Sequence, residues 1–292
     1  RRVEGHMIDE FFLRRPYSGD GSYKLADGSV NPNGGPRDGM IRTKADLDWV
    51  AAMLAAGYTF NNNLKQINSN GSNLWYGDLI MADLNGDGKY GNDDDREFTG
   101  KSSTPKVTLG FNINASWRGF DLNMMWSGRF GGYHYINSKG ANGSMITNTG
   151  DALPGDAWNR YYFYDSEASH AGIIKNEQGV VIGSSYDPAA DPNARISNEY
   201  PRLLTSGGTT PSNTFYLYNT SFVKLKSLQI GYTLPKKWVA PAKINNLRVF
   251  VSGENLLTFK SDRFPGVDPE LGGSLAAYPI ARMFSGGLSV TF

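Results

Sequence analysis

The chain has 292 residues, enough for one large domain or two ordinary ones, and its formal net charge is +1. That charge gives no global field favouring nucleic acid or an acidic partner, and no basic stripe is present, so a nucleic-acid partner is excluded. With 39% hydrophobic residues, 13% aromatic residues and 35 glycines, the composition favours β-sheet over a helical bundle. The chain has no cysteine, which excludes disulfides, thiolate metal sites and a cysteine nucleophile.

The first predicted element is a short loop helix over residues 43–57. Thr43 stands three residues before Asp46, the spacing of a capping box. Gly57 fits the position just beyond the helix end. The apolar residues that would share the buried helical face are Leu47, Val50 and Leu54. Upstream, the chain opens with Arg1 and shows no signal peptide, so we expect a piece of a longer protein.

Residues 83–94 match the pattern of a calcium-binding loop. The predicted ligands, at loop positions 1, 3, 5, 7 and 12, are Asp83, Asn85, Asp87, the Lys89 carbonyl and Asp94. Gly88 would supply the sharp turn at position 6. The last position has Asp instead of Glu, and residues 75–80 before the loop look like a strand, so no EF-hand is predicted. The alternative to a calcium site is a solvated, Asx-rich turn. Nearby Asn92, Asp93 and Asp95 could only tune a calcium site.

Two strands are predicted between residues 106 and 130, because apolar and polar residues alternate there. Val107, Leu109 and Phe111 begin one apolar face, and Phe120 begins the apolar face of the following run. The break between them, Arg118-Gly119, has the length of a two-residue hairpin turn. Trp117 and Trp126 are typical of the aromatic girdle at a membrane interface.

The same alternation returns in the last third of the chain. Val223 and Leu225 alternate with lysines, and the apolar phase changes at Ser227, as a β-bulge would produce. Further runs around residues 247–253 and 284–292 repeat the pattern. The final residue, Phe292, is an aromatic in phase with the last strand. Lys224 and Lys226 are expected to face the polar lumen or its rim.

The strands have about the ten-residue length that crosses a bilayer when tilted. A short turn is followed by a long, polar stretch over residues 133–213, which we predict to be an extracellular loop. Its aromatic cluster gives two interpretations: a platform for sugar rings, or packing within the loop or on a partner. The residues of that candidate substrate site are Trp158, Tyr161, Tyr162 and Tyr164. No catalytic motif is present, so an enzyme is not expected.

Five ordered segments resemble the C-terminal region of the SusC/RagA family of TonB-dependent transporters. The segments are residues 77–88, 103–106, 221–235, 251–258 and 266–292, among them Gly77-Asp78-Leu79-Ile80, Ser103-Thr104-Pro105-Lys106, Ser252-Gly253-Glu254-Asn255-Leu256 and Gly266-Val267-Asp268-Pro269-Glu270. The match runs from about Gly5 to Phe292, but residues 133–213 align to nothing in the family.

The resemblance implies an all-β fold in which residues 1–292 supply the C-terminal strands, about six, of a large antiparallel transmembrane β-barrel of 22 strands. It implies a cell outer membrane location in contact with lipid, and a plug, remaining barrel and TonB-contacting part outside this chain. It also implies import of oligosaccharides or peptides together with a SusD-like surface lipoprotein. Phe292 resembles the terminal aromatic that serves as an assembly signal.

A second hypothesis stays open on the sequence alone: a secreted, soluble β-sandwich that binds calcium and acts as an adhesion or glycan-binding module. It predicts that the apolar strand faces pack against each other. The barrel predicts that they contact lipid. Burial of Leu109, Phe111, Met124, Leu288 and Val290 between two sheets would decide for the sandwich.

Overall fold

The computed structural model describes residues 3–136, 160–202, 211–264, 268–271 and 280–292. The chain divides into two compact units. Unit 1 comprises residues 1–10, 100–135 and 218–292, and unit 2 comprises residues 11–99 and 136–217. No helix in the described ranges is long and apolar enough to cross a membrane.

Strands dominate the described residues. In chain order they are β1 (Glu10–Leu13), β2 (Thr59–Phe60), β3 (Lys89–Tyr90), β4 (Glu97–Ser102), β5 (Val107–Trp117), β6 (Phe120–Phe130), β7 (Tyr133–Tyr135), β8 (Tyr161–Tyr162), β9 (Ile173–Lys175), β10 (Val181–Ser184), β11 (Tyr200–Arg202), β12 (Leu217–Asn219), β13 (Phe222–Thr233), β14 (Asn246–Lys260) and β15 (Met283–Thr291). The helices are α1 (Lys44–Ala55), α2 (Ser166–Ala171) and α3 (Lys236–Val239), with 3-10 helices at Thr214–Tyr216, Ala240–Ala242 and Pro269–Leu271. The all-β prediction is confirmed.

Unit 1 is built on a five-stranded antiparallel sheet in the order β15-β14-β13-β6-β5. The β5–β6 hairpin closes through Arg118 and Gly119, whose φ angles of 47° and 88° are the left-handed values of a type I′ turn. Trp117 pairs directly with Phe120 across this turn. The structure therefore has the hairpin that the alternation predicts, and the turn fixes the register of both long strands.

Two bulges interrupt the sheet where the apolar phase changes. Between Leu225 and Ser227, β13 has one residue more than β6, and β14 in turn has one more than β13. On β14 the irregularity includes Asn255, whose φ of 55° lies in the left-handed region that asparagine tolerates better than most residues. Because of the extra residue, Leu225 and Leu228 lie on the same face of β13.

Unit 2 has its own hydrophobic core around α1. Thr43 and Asp46 form the reciprocal hydrogen bonds of a capping box, and Gly57 follows the helix end with a φ of 95°. The largest core side chains are Trp49, Trp75 and Tyr76, all buried. Residues 160–202, within the stretch predicted to be an extracellular loop, contribute β8–β11 and α2 to this unit. Their core residues are Tyr162, Val181 and Tyr186.

Residues 75–80 form a tight turn instead of the expected strand. Asp78 accepts a hydrogen bond from the Trp75 backbone N–H, and Gly77 has a φ of 81°. The Asp78 carboxylate also accepts hydrogen bonds from Nε and Nη2 of Arg202, both at 2.7 Å. Burial by itself would lower the pKa of Arg202, but Asp78 and the Tyr164 hydroxyl raise that pKa above its usual value. A long-range ion pair thus determines the local conformation.

Arg202→Met should destabilise unit 2 by about 3–5 kcal/mol, because it leaves the buried Asp78 carboxylate without a counter-charge. The double variant Asp78→Asn/Arg202→Met should recover most of that loss, since asparagine is neutral and keeps an acceptor for the Trp75 N–H. Urea unfolding followed by tryptophan fluorescence measures both free energies. Equal stability of the two variants would contradict a charge-based role for the pair.

Candidate functional site

The sheet of unit 1 has one continuous apolar face. The strand register aligns side chains in rows across all five strands, and each row is apolar on this face. One such row is Trp117, Phe120, Tyr232, Val249 and Leu288. Period-two alternation makes the opposite face mostly polar, although Met125, Phe222 and Phe250 also lie on it. One of its polar rows is Asn114, Asn123, Gln229, Ser252 and Ser285. The two faces therefore suit two different environments.

The apolar face is open instead of being packed against a second sheet. The exposed fractions are 38% for Leu109, 46% for Phe111, 68% for Leu288 and 41% for Val290. Trp117 is exposed as well, whereas Trp126 is half-buried and stacks on Phe111 at 6.1 Å between ring centroids. The burial that the β-sandwich hypothesis predicts is absent from the described residues, so that prediction is wrong for this sheet.

The polar face carries an ion pair that spans three strands. Arg248 of β14 donates a hydrogen bond from Nε to Asp121 of β6 at 2.9 Å. It donates another from Nη2 to Gln229 of β13 at 3.1 Å. The pair crosses β13 at Gly231, where an added Cβ would lie 2.5 Å from both the guanidinium and the carboxylate. Glycine at this position is therefore what lets Arg248 reach Asp121.

A second charged cluster lies on the same sheet near the bulge. The ammonium of Lys224 is buried and contacts Asp268 and, at 3.1 Å, Glu270. Lys226, at the bulge, pairs with the same Glu270. Both carboxylates come from the 3-10 segment around Pro269. The two lysines predicted to face the lumen or rim thus connect a loop to β13. The sequence indicates their partners only through the 266–270 motif.

Phe292 follows the last residue of β15 and is 81% exposed. The exposed ring is accessible to another protein. Its role as an assembly signal stays a prediction.

In the acidic loop, side chains accept hydrogen bonds from the loop backbone. The Asp83 carboxylate accepts the N–H groups of Gly86 and Gly88, and Asn85 accepts that of Asp87. Asp87 accepts the N–H of Lys89, which lowers the pKa of its carboxyl group. These contacts are the Asx turns of the alternative interpretation, and they also hold three of the five predicted calcium ligands in one loop.

The central acid of this loop is Asp95, to which the sequence pattern assigned only a minor role. Asp95 is fully buried and accepts the backbone N–H groups of Leu84, Gly91 and Asn92. Asp94, the predicted ligand at position 12, is exposed. Within the described ranges no three His, Cys, Asp or Glu side chains are grouped so that they could hold a metal ion. Calcium binding stays a prediction.

The structure brings together two tyrosines of the candidate substrate cluster, Tyr162 and Tyr164, with ring centroids 6.4 Å apart, whereas Tyr161 packs on Tyr200. Tyr161 and Tyr162 are buried, and the Tyr162 hydroxyl donates to the Arg42 carbonyl at 2.7 Å. Tyr164 accepts a hydrogen bond from Arg202. Burial raises the pKa of both Tyr161 and Tyr162. Trp158 lies outside the described residues. The contacts of these rings are those of packing within the unit, and sugar binding by the cluster stays a prediction.

Gly231→Ala should destabilise unit 1 by up to about 1 kcal/mol, because the new methyl group displaces a partly exposed ion pair. In an Arg248→Ala background the same change should cost less, since the guanidinium is gone and the Asp121 carboxylate, no longer paired, can turn away from the methyl group. Unfolding free energies of the four proteins in urea give the coupling. An identical loss of unfolding free energy in both backgrounds would show that the ion pair does not explain the effect of Gly231→Ala.

The calcium prediction requires that millimolar Ca²⁺ raise the unfolding temperature, because a cation bound only by the folded loop stabilises it. Asp87→Asn should reduce that rise, whereas Asp48→Asn on helix α1 should leave it intact. Differential scanning calorimetry with and without chelator measures the effect. An unfolding temperature that calcium does not change would contradict calcium binding and leave the Asx-rich turn as the interpretation of the loop.

No protein-family model matches the chain. Among curated proteins, TonB-dependent receptor P3 of Formosa agariphila is 27% identical over 237 residues, which covers 74% of this chain and 19% of that protein. TonB-dependent receptor SusC of Bacteroides thetaiotaomicron is 26% identical over 137 residues, covering 46% of this chain and 13% of SusC. A solved structure of the RagAB peptide importer in its open-open state covers 80% of this chain and 22% of its own, at 21% identity and a TM-score of 0.48.

The chain spans about a fifth of the length of the first of these curated relatives, and less of SusC. These sequence relatives confirm the resemblance that the ordered motifs indicate. The chain is a homologue of part of the TonB-dependent receptors, SusC among them.

Proposed function

We propose that this chain is part of a SusC-like, TonB-dependent importer of the cell outer membrane. The importer would take up oligosaccharides or peptides together with a SusD-like surface lipoprotein. TonB would act through parts of the receptor outside this chain. The proposed role is binding and transport, with no catalytic step.

The single observation that carries the proposal is the open apolar face of the five-stranded sheet. A contiguous apolar surface of this kind is unfavourable in water and marks a contact with lipid or with another protein. Strands of 9–15 residues with one apolar and one polar face are the building unit of an outer-membrane barrel. Lipid is the partner that fits both the strand length and the alternation.

The sheet edges support the same proposal. Among the described residues, β5 and β15 each have a ladder partner on one side only. Backbone groups in hydrocarbon have no water to bond, so an edge strand in a membrane needs a neighbour. We infer that other strands of the receptor pair with both edges and complete an antiparallel barrel.

The polar face would then line the inside of the barrel. Its Arg248–Asp121 and Lys224–Glu270 pairs are charges that hydrocarbon would penalise, and an aqueous lumen accommodates them. Placing these groups inside and the apolar rows outside gives the charged pairs an aqueous environment and the apolar rows a hydrocarbon one.

Val251→Arg tests the lipid contact directly. Val251 is already exposed, so in a soluble protein this change would alter stability by about 0.5 kcal/mol or less. On a lipid-facing strand it should cost about 2–4 kcal/mol near the bilayer midplane and sharply reduce assembled protein. Outer-membrane fractionation and heat-modifiable migration on gels measure the assembled fraction.

The matched control is Ser252→Arg, one residue along β14 on the polar face. It introduces the same group beside the same backbone and should leave assembly nearly intact. Equal assembly of the two variants would contradict the proposed orientation of the sheet. Wild-type protein in the aqueous fraction after membranes are pelleted would contradict the membrane location itself.

A further inference from the structure

Two clefts of ligand size lie in unit 2, and both border the acidic loop. The first, about 550 Å³, is lined in part by Arg14, Arg96 and Asp93. The second, about 570 Å³, is lined in part by Tyr58 and Thr59. Both volumes fall in the usual range of small-molecule sites, about 300–1,000 Å³.

Asn63 lines both clefts, so the two adjoin at this residue, and we refer to the adjoining pair as the groove. Asn63 ends a turn in which Asn61, Asn62 and Asn63 all have left-handed backbone, with φ angles of 40°, 61° and 67°. Asn61 and Asn62 have structural contacts: Asn61 bonds the backbone of Leu79, and Asn62 accepts from Arg14. The Asn63 side chain is exposed and has no hydrogen-bond partner among the described residues. The turn itself is structural, because the Leu64 backbone N–H closes it on the Phe60 carbonyl, and it presents the Asn63 carboxamide to solvent.

The groove carries more positive than negative charge. In the first cleft Arg14 and Arg96 share the single carboxylate of Asp93. In the second, Lys89 pairs with Asp87 at 3.5 Å, and exposed Lys65 has no ion-pair partner in the described part of the chain. Four cationic side chains thus line the clefts with two carboxylates. Arg14 is buried and already bonded to protein groups, so the cations available to an anionic ligand are the exposed Arg96, Lys89 and Lys65.

The other lining groups suit hydroxyl-rich ligands. Thr59 has a buried hydroxyl oxygen without a hydrogen-bond partner in the described residues. The ring of Tyr58 lies beside Gly88, close enough that a Cβ there would be 3.3 Å from it. The Thr59 oxygen is not exposed, so the groups open to a ligand are an aromatic ring and a carboxamide, which match the apolar faces and hydroxyl groups of sugars. Few apolar side chains line the two clefts, so peptide side chains would find no pocket there.

We propose that the groove formed by the two clefts around Asn63 binds a carboxylate-bearing oligosaccharide. The cations of each cleft contact carboxylates spaced along the sugar chain, and Asn63 contacts the chain between them. The proposal rests on the importer function for the fate of the ligand, but binding is measured without transport.

The test is calorimetric titration of the detergent-purified, full-length protein with a galacturonate hexasaccharide. The neutral galactose hexasaccharide and hexaglutamate serve as comparison probes of equal length. We expect the acidic sugar to bind, more weakly as salt is raised, and both comparison probes to bind at least ten-fold more weakly. Tight binding of the neutral sugar or of hexaglutamate, or no binding of the acidic sugar, would overturn the proposal.

Three variants locate the site. Lys65→Gln should weaken binding of the acidic sugar about 3- to 5-fold, whereas Lys175→Gln on exposed β9 should not. Asn63→Gly removes the carboxamide while keeping the left-handed backbone, so binding should weaken without a fall in unfolding temperature. Equal effects of the two lysine variants would place the site elsewhere. If the wild-type protein assembles in the outer membrane but does not bind the acidic sugar, the groove proposal is refuted and the importer proposal is not. Assembly tests the importer proposal separately.

Discussion

Strict alternation of side chains across five hydrogen-bonded strands is the constraint on which unit 1 depends. A slip of one residue in any strand would move its whole apolar set to the polar face. The type I′ turn at Arg118-Gly119 fixes one register, and the bulges beside Leu225 and at Asn255 correct two others. Because every row keeps its phase, the sheet has one surface suited to hydrocarbon and one suited to water.

The charges on the polar face bind the strands to each other and to a loop. The Arg248–Asp121 pair connects β14 to β6 across β13, and it depends on the missing side chain of Gly231. Lys224 is buried and satisfied by Asp268 and Glu270. Such pairs contribute little net stability when partly exposed, but removing one partner of a buried pair is costly, so they favour one arrangement over others.

Unit 2 is stabilised by aromatic packing and by the buried Arg202–Asp78 pair. Polar side chains on its surface are not needed for that stability. The turn at residues 61–63 illustrates the division. Two of its asparagines bond the core of the unit, and the third faces the groove. Side chains held on ordered backbone lose less entropy when they bind another molecule.

The sequence alone predicts the features that local chemistry determines. The hairpin at Arg118-Gly119, the capping box of Thr43 and Asp46, and the phase change at Ser227 depend only on neighbours along the chain, and the structure has all three. The all-β fold and the resemblance to TonB-dependent receptors are likewise confirmed, since both rest on periodic or ordered motifs.

Tertiary structure decided what depends on distant partners. Residues 75–80 have an apolar composition typical of a strand, yet Arg202, 124 residues further along, fixes Asp78 in a turn. In the same way, the burial of Tyr162 and the central position of Asp95 follow from packing that no local pattern encodes. Periodicity shows which face of a strand is apolar, but only three-dimensional contacts show which charges meet and which rings remain open to a ligand.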